Sequence, residues 1–594
     1  MSLVVADKIS YSPVNGGGIE VTVPFRQRIV SEGMGAAMYE MFGRGEKGLW
    51  YDPSDLPTMF QDSAGTTAAA IEQPVGLLLD KSKGLVLGPE LVTNGTFDSD
   101  TTWTKDSGIT ISGGEAIFSG ASSGRGVYKQ ELTHSAGKFY SVSYDLNLTS
   151  GSVAVWLGVY GATRTTSGSY TQVIKAGSTN NLVGVFSITP STTATVDNIS
   201  VKELPGNHAT QATSTARPVL RARYNMLTYS EQFGNAVWVN IQGVSSVSAN
   251  SVLAPDGTLT ADKIIPEATT LVHGKYQTPV FQTGAQYSFT VWVKQVDAGV
   301  HFEFFCNDTT QHRALVNLTD GTVALSQSVT VSVSGLDSYG FRKVILSFTF
   351  AAATGPQQLQ LRLTRSTSAY DQQFVGDGST GLVMWGAQLN YGSAALPYQR
   401  IAAATDYDTV GFKPYLDFDG VDDFLVTPSI DFTGTDKMSV FAGVDSNQIT
   451  TAGIIVEHGS GGVPNMYLAA RLGIDGDFGW NTSGTASAAY RTTAANNLAL
   501  PWVVSCQHNI GGALISDEIK PRVNGVIPAL TVAQAGPAGT GNFGSFPFYI
   551  GMRAGTSLPF NGRIYSLIVR GALSDAVEIN DSERYVNNKT GAYQ

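Results

Sequence analysis

The sequence predicts an all-β protein: tandem antiparallel β-sandwiches behind a small mixed N-terminal region. Three observations predict it. Charged residues make up 14% of the 594 positions, and 66 positions are Gly, against roughly 25% charged and 7% Gly in an average soluble protein. Short runs of alternating apolar and polar residues recur along the chain, which is the period of half-buried strands. The same order of three signatures occurs twice between residues 90 and 400. This combination fits many short strands joined by Gly-rich turns and excludes a helical bundle, a coiled-coil rod and a disordered chain.

In order along the chain, Ile19 to Phe25 (IEVTVPF) alternates as a strand behind the turn Asn15-Gly16-Gly17-Gly18. Ser31 to Gly43 places apolar residues at 34, 37, 38, 41 and 42, a helical spacing with Ser31 as N-cap and Gly43 as stop. Residues 1–43 form the first unit. Residues 44–89, with four prolines, read as an extended connector whose Trp50, Tyr51 and Phe60 must pack on something.

Residues 90–204 open with ELVTNGTFDSDTTWTKD and close with TVDNISVKEL. Residues 205–223 are a polar linker. Residues 224–400 repeat the scheme: YNMLTYSEQFGNAVWVN parallels the first opening, with Phe233 and Trp238 answering Phe97 and Trp103, and LVMWGAQLNYG parallels the first closing. Two copies of one plan predict two sandwiches, not a solenoid of short repeats. Trp103, Trp238 and Trp385 are expected in cores. Residues 401–594 differ. YLDFDGVDDFLVTPSIDF and GRIYSLIVRGA are strand-like, and SDAVEINDSERYVNNKTG is a helix with Ser574 as N-cap, Ala576, Ile579 and Val586 on one face, and Gly591 as stop.

Charge and cysteines narrow the partners. The net charge is −11 with no basic run, so neither nucleic acid nor an anionic lipid surface is expected. No stretch of 18 apolar residues predicts a membrane span, and the N-terminus lacks the pattern of a cleaved export signal. Cys306 and Cys506 each sit alone in an apolar run. They read as buried free thiols of a chain folded in a reducing cytoplasm.

The quoted segments resemble three module types found side by side in bacteriophage virion proteins. LVTNGTFDSDTTWT with VDNISVKEL resembles a carbohydrate-binding jelly roll of the kind appended to glycanases and phage tail proteins. NMLTYSEQFGNAVWVN with APDGTLTADKI resembles a related jelly roll of tail and fibre proteins. LDFDGVDDFL with GRIYSLIVRGALSDAVEI resembles the laminin-G/concanavalin-like lectin sandwich. The resemblance spans residues 49–594. It implies a virion protein made in the bacterial cytoplasm and displayed on the particle, bound to other virion proteins through its N-terminal region, trimeric as phage fibres often are, and adhering to host surface polysaccharide as a tail fibre or receptor-binding protein. A capsid decoration or head-fibre protein is the alternative, and a glycan-depolymerising tailspike the alternative of another class.

Sugars stack a pyranose face on an aromatic ring while polar groups take the hydroxyls. The candidates are Trp156 and Tyr160, with Tyr170 and Arg164, in the first module. In the second they are Trp292 and Tyr276, with Gln295 and Asp308. In the third they are Trp480 and Asn481, in a polar stretch read as a loop, with Tyr467 and Arg471. No cofactor is expected beyond a structural Ca²⁺, for which Asp419 and Asp422, with Asp417 and Asp423, offer hard oxygen ligands. Asp197 corresponds to a position where some related jelly rolls bind one. Catalysis is not expected. Glu303, Asp308, Glu457 and Asp475 are carboxylates that no spacing pairs as a glycosidase requires, no H-E-x-x-H occurs, and the seven His show no ligand spacing.

Overall fold

The computed structural model describes residues 9–11, 19–21, 40–129, 132, 134–177, 182–242, 245–281, 283–351, 357–446, 452–460, 463–470, 477–492, 501–534 and 536–593. The protein is nearly all β, and every pairing between its strands is antiparallel. The strand read at Ile19 is present as Ile19–Val21, paired with Ile9–Tyr11. The helix read from Ser31 lies outside the described residues except for its last turn, where Met41 and Phe42 are buried beside Trp50 and Tyr585.

The first jelly roll packs a five-stranded sheet, ordered Gly168–Lys175, Phe139–Ser150, Thr192–Glu203, Glu115–Ala121 and Ile109–Ser112, on a four-stranded sheet, ordered Val153–Leu157, Val183–Ser187, Gly126–Lys129 and Thr104–Lys105. Alternation sets the inner face: Ala116 and Phe118 on one strand, and Val153, Val155 and Leu157 on another, meet in one core. The second jelly roll packs two six-stranded sheets. Phe302, Phe304 and Cys306 of His301–Cys306 and Leu359, Leu361 and Leu363 of Leu359–Thr364 point into its core.

The repeated signatures are repeated in space. Phe97 and Trp103 lie 4.9 Å apart at 39°, and so do Phe233 and Trp238. Each indole N–H donates to a carbonyl nine residues earlier, Asn94 at 2.8 Å and Tyr229 at 2.9 Å. Both of those residues hold a positive φ, 58° and 50°. Each closing strand bulges at one place, at Asn198 (φ 55°) and at Gly386 (φ 68°), where the register against the neighbouring strand slips by one residue. The next residue clips the module shut: the amides of Ile199 and Ala387 donate to the opening segments at Gly95 and Ser230, both at 2.9 Å.

The third sandwich is built from three stretches of chain, which differs from the division read in the sequence. The residues read as connector and linker are strands of it. Gly48–Tyr51 pairs with Leu567–Arg570. Met59–Phe60, Leu77–Leu78 and Ala209–Thr210 extend the ten-stranded sheet. Val219–Arg221 pairs with Tyr415–Asp417. The two jelly rolls are therefore insertions into the third sandwich. Strands of two to four residues between prolines show too little alternation to be read, whereas Trp50 and Tyr51, 1% and 2% exposed, show that they are core. Asp52 fastens this stretch to the terminal helix, accepting from Tyr585 Oη at 2.5 Å and Lys589 Nζ at 3.2 Å. Burial alone would raise its carboxyl, but Lys589 and Lys81 hold it at about 2.

The terminal helix, Ala576–Thr590, starts one residue later than read. Asp575, not Ser574, is the N-cap, in a capping box with Glu578, because its carboxylate reaches the amides of Val577 and Glu578. Gly591 ends it in the left-handed region as expected. Cys306 and Cys506 are buried free thiols.

Candidate functional site

The outer face of the four-stranded sheet in the first jelly roll carries a floor of rings. Trp156, Gly184 and Tyr128 share one register row, and Ala154, Phe186 and Gly126 the next. Tyr160 folds over from the following turn. Its ring lies 4.6 Å from Trp156 and 6.2 Å from Phe186, and Phe186 stacks on Tyr128 at 5.6 Å. Gly184 leaves no room for a side chain, since a Cβ there would meet Tyr128 Cβ at 2.6 Å. Tyr160 is 43% exposed, and the other three rings are half-buried. The structure thus brings Trp156 and Tyr160 together on open surface. Arg164 turns away, its guanidinium 4.4 Å over Tyr170.

The corresponding region of the second jelly roll is polar. Tyr276, Gln360, Phe305 and Arg313 share one row of the sheet, and Gly274, Arg362, Glu303 and Leu315 the next. Glu303, whose side chain is 1% exposed, takes Arg313 Nη2 at 2.9 Å and Arg362 Nη1 at 3.0 Å on a single carboxylate oxygen. Asp371, on the loop above, accepts from Arg313 at 2.6 Å and also from Arg362. Both guanidiniums stack on Phe305, 4.8 and 4.2 Å from its centre. Burial would raise the Asp371 carboxyl, but the two arginines hold it below the usual range. Arg362 Nε donates to Gln360 Oε1 at 2.7 Å, and Gln360 Nε2 to Gln358 Oε1 at 2.6 Å. An open groove of about 420 Å³ runs beside this chain, lined by Asn240, Tyr276, Gln358, Gln360, Asp371 and Gln373 among others. Of the residues named from sequence, the groove contains Tyr276. Glu303 was named only as a carboxylate without a partner.

The other named residues lie elsewhere. Trp292 is half-buried, edge-on to Trp385 at 5.2 Å and to Tyr398 at 5.6 Å, with Lys343 Nζ 4.8 Å over its ring. It is packing between sheet and flanking segment. Trp480 is 0% exposed, in strand Phe478–Ser483 and not in a loop. Asn481 is buried beside it, donating to the Ala488 carbonyl at 3.1 Å. The polar letters of this strand are satisfied inside the sandwich, as in the 2.7 Å bond between Thr482 and His508, so polarity there does not signal exposure. Tyr467 is buried against Arg553. Arg471 and Asp475 lie outside the described residues. Asp308 is buried and bonded to His312 at 2.7 Å, and Glu457 to Arg553 at 2.8 Å. A G-x-S-x-G string, Gly120 to Gly124, crosses from a strand of the five-stranded sheet to a strand of the four-stranded sheet. It lacks the strand-to-helix setting of a nucleophile elbow.

Among the described residues, one group of carboxylates is close enough for a cation: Asp419, Asp422 and Asp423, with oxygens within 4.8 Å of one another. The same atoms shape a turn. Asp419 Oδ1 accepts from the Val421 amide at 2.8 Å, and Asp423 Oδ2 from the Asp419 amide at 3.0 Å. Burial, then Asp419, Asp422 and Asp417, pushes the Asp423 carboxyl up to about 7. Asp197 is half-buried. Burial and the neighbouring Glu115, Asp145 and Asp98 raise it, and its Oδ1 accepts from the Asn198 amide at 2.6 Å.

No family model and no curated protein matches the chain. Solved structures similar to it include the tandem CBM22-1–CBM22-2 domain of Paenibacillus barcinonensis Xyn10C, at 11% identity and a TM-score of 0.22 over 51% of this chain and 98% of that one. A heptameric SAP-like pentraxin of Limulus polyphemus matches at 10% and 0.23 over 28% and 78%. Trypanosoma rangeli sialidase matches at 10% and 0.22 over 99% and 97%. Likeness at this level assigns no function to the chain.

Proposed function

We propose that this protein is a non-enzymatic component of a phage particle that displays carbohydrate-binding β-sandwiches for adhesion to host surface glycans. The observation that carries the reading is the floor of Trp156, Tyr160, Phe186 and Tyr128, open to solvent on a sheet whose other face is core. Rings held this way offer flat apolar faces to pyranose rings at little ordering cost, because three strands and a turn already fix them. A second, differently lined groove in the neighbouring module adds a second contact, and many copies on a particle multiply weak contacts into avidity. The virion setting, the trimer and attachment through the N-terminal region rest on the sequence resemblance. A tail fibre is the preferred location, with a head fibre or capsid decoration as the alternative.

Catalysis is not part of this reading. Glu303 and Asp371, the carboxylates nearest the groove, are both spent on Arg313 and Arg362. Asp371, held ionised by the two guanidiniums, is a poor general acid. No cofactor is required.

The purified full chain is tested on a glycan array and on host cells. Retention is expected, and it falls in Trp156→Ala with a melting curve lowered only slightly. No retention by either surface sinks the reading. Sugar release from host polysaccharide over hours replaces it with a depolymerase.

A further inference from the structure

The groove of the second jelly roll has a chemistry that selects among glycans. Arg362 and Asp371 line the groove and pair with Arg313 and Glu303 beside it, two cations against two anions, so the cluster carries no net charge. The exposed member is an anion: the Asp371 side chain is 51% exposed, the arginines 8% each. The next cation along the neighbouring strand, Lys275, is in register with inward-facing Leu361 and not with the groove. What the groove offers instead is amides, from Asn240, Gln242, Gln358, Gln360 and Gln373. The bonds from Arg362 through Gln360 to Gln358 run in one direction, so each carbonyl in the chain already accepts one bond and the Gln358 amide N–H groups end it as donors. Among the described residues, Asn240 Oδ1, buried at the groove, has no hydrogen-bond partner and is a waiting acceptor. Tyr276 sets a half-buried ring beside them.

From these observations we infer that this groove binds uncharged, hydroxyl-rich glycans and discriminates against sugars bearing carboxylate groups. A sugar hydroxyl both donates and accepts, which suits an oriented amide donor beside an orphaned acceptor. A uronic or sialic acid would need an unspent cation, and it meets the Asp371 carboxylate instead. The inference rests on the adhesion reading and names the ligand class of one of its faces.

The test uses the full chain on an array holding neutral and acidic glycans. Retention of neutral glycans with at least tenfold weaker retention of acidic ones is expected, together with a tenfold loss of neutral retention in Gln358→Ala/Gln360→Ala. Gln373→Ala, an exposed position, serves if the double variant melts early, and it should weaken neutral binding severalfold. Asp371→Asn should raise retention of acidic glycans. Acidic glycans held as well as neutral ones by the unaltered chain overturn the ligand class. Neutral retention undiminished in the groove variants but lost in Trp156→Ala overturns the groove and leaves adhesion to the first module. No retention of any glycan overturns the adhesion reading and this inference with it.

Discussion

The two jelly rolls present opposite outer surfaces on one frame. In the first, a glycine between two rings opens a floor of Trp156, Tyr160, Phe186 and Tyr128. In the second, equivalent territory is amides and a four-membered ion-pair cluster stacked on Phe305. Behind those faces the modules share the Phe–Trp pair, the positive-φ residue beneath the indole, the bulge and the clip across it. The difference teaches which positions the fold dictates. Inner-face residues answer to packing, where one methylene is felt. Outer-face residues answer only to what the surface must meet.

The comparison can be broken first at the frame. Trp103→Ala and Trp238→Ala should each cost about 3–5 kcal/mol, read by thermal unfolding. Because the two sites share geometry the losses should match, and a large inequality would mean that the frames differ energetically. Glu303→Gln should cost less than a wholly broken buried pair, about 3–5 kcal/mol, since Asp371 still pairs with both guanidiniums. Among the described residues, the first module has no such cluster to lose.

Smaller effects sharpen the comparison. Gly386→Ala should cost about 1–2 kcal/mol for its left-handed backbone, plus the crowding of a Cβ 2.9 Å from the Trp292 ring. Asn198→Gly at the matching bulge should be near neutral, losing one bond to Asp145 and relieving the same backbone. Trp156→Ala should cost only about 1 kcal/mol, because its ring already half-faces water, while abolishing the floor. A separate, pH-dependent effect lies in the third sandwich. Asp423 keeps its proton up to about pH 7 in the fold but loses it near about 3.9 when unfolded. Stability contributed by that carboxyl is present at low pH, falls as pH rises from about 4 to 7, and is flat above. Asp423→Asn should remove that slope from a pH series of melting curves.

Much of this was legible in the residues. The paired openings, Phe97 with Trp103 and Phe233 with Trp238, announced two modules of one plan, and Trp156 with Tyr160 announced the floor, because spacing and alternation act locally. What was not legible depends on distant partners. Gly48–Tyr51 is a strand only because Leu567–Arg570 lies beside it. Trp480 is core only because His508 and Ala488 satisfy its polar neighbours. The groove escaped for the same reason. Glu303 between two inward phenylalanines, and Gln360 and Arg362 between leucines, marked outward positions, but nothing local paired Glu303 with Arg313, Arg362 and Asp371.

The nesting of both jelly rolls inside the third sandwich sets the order of events during synthesis. Tyr51 accepts a hydrogen bond from Ser566, 515 residues later. At roughly 5–20 residues per second, its strand waits about 25–100 s for its neighbour to leave the ribosome. Each jelly roll can close in that interval. Closure brings its ends side by side, since Leu77–Leu78 pairs with Ala209–Thr210 and Arg221 with Tyr415. A contact that spans 515 residues then becomes, for the growing chain, a short loop between two finished knots of structure, and the entropy of closing it falls accordingly.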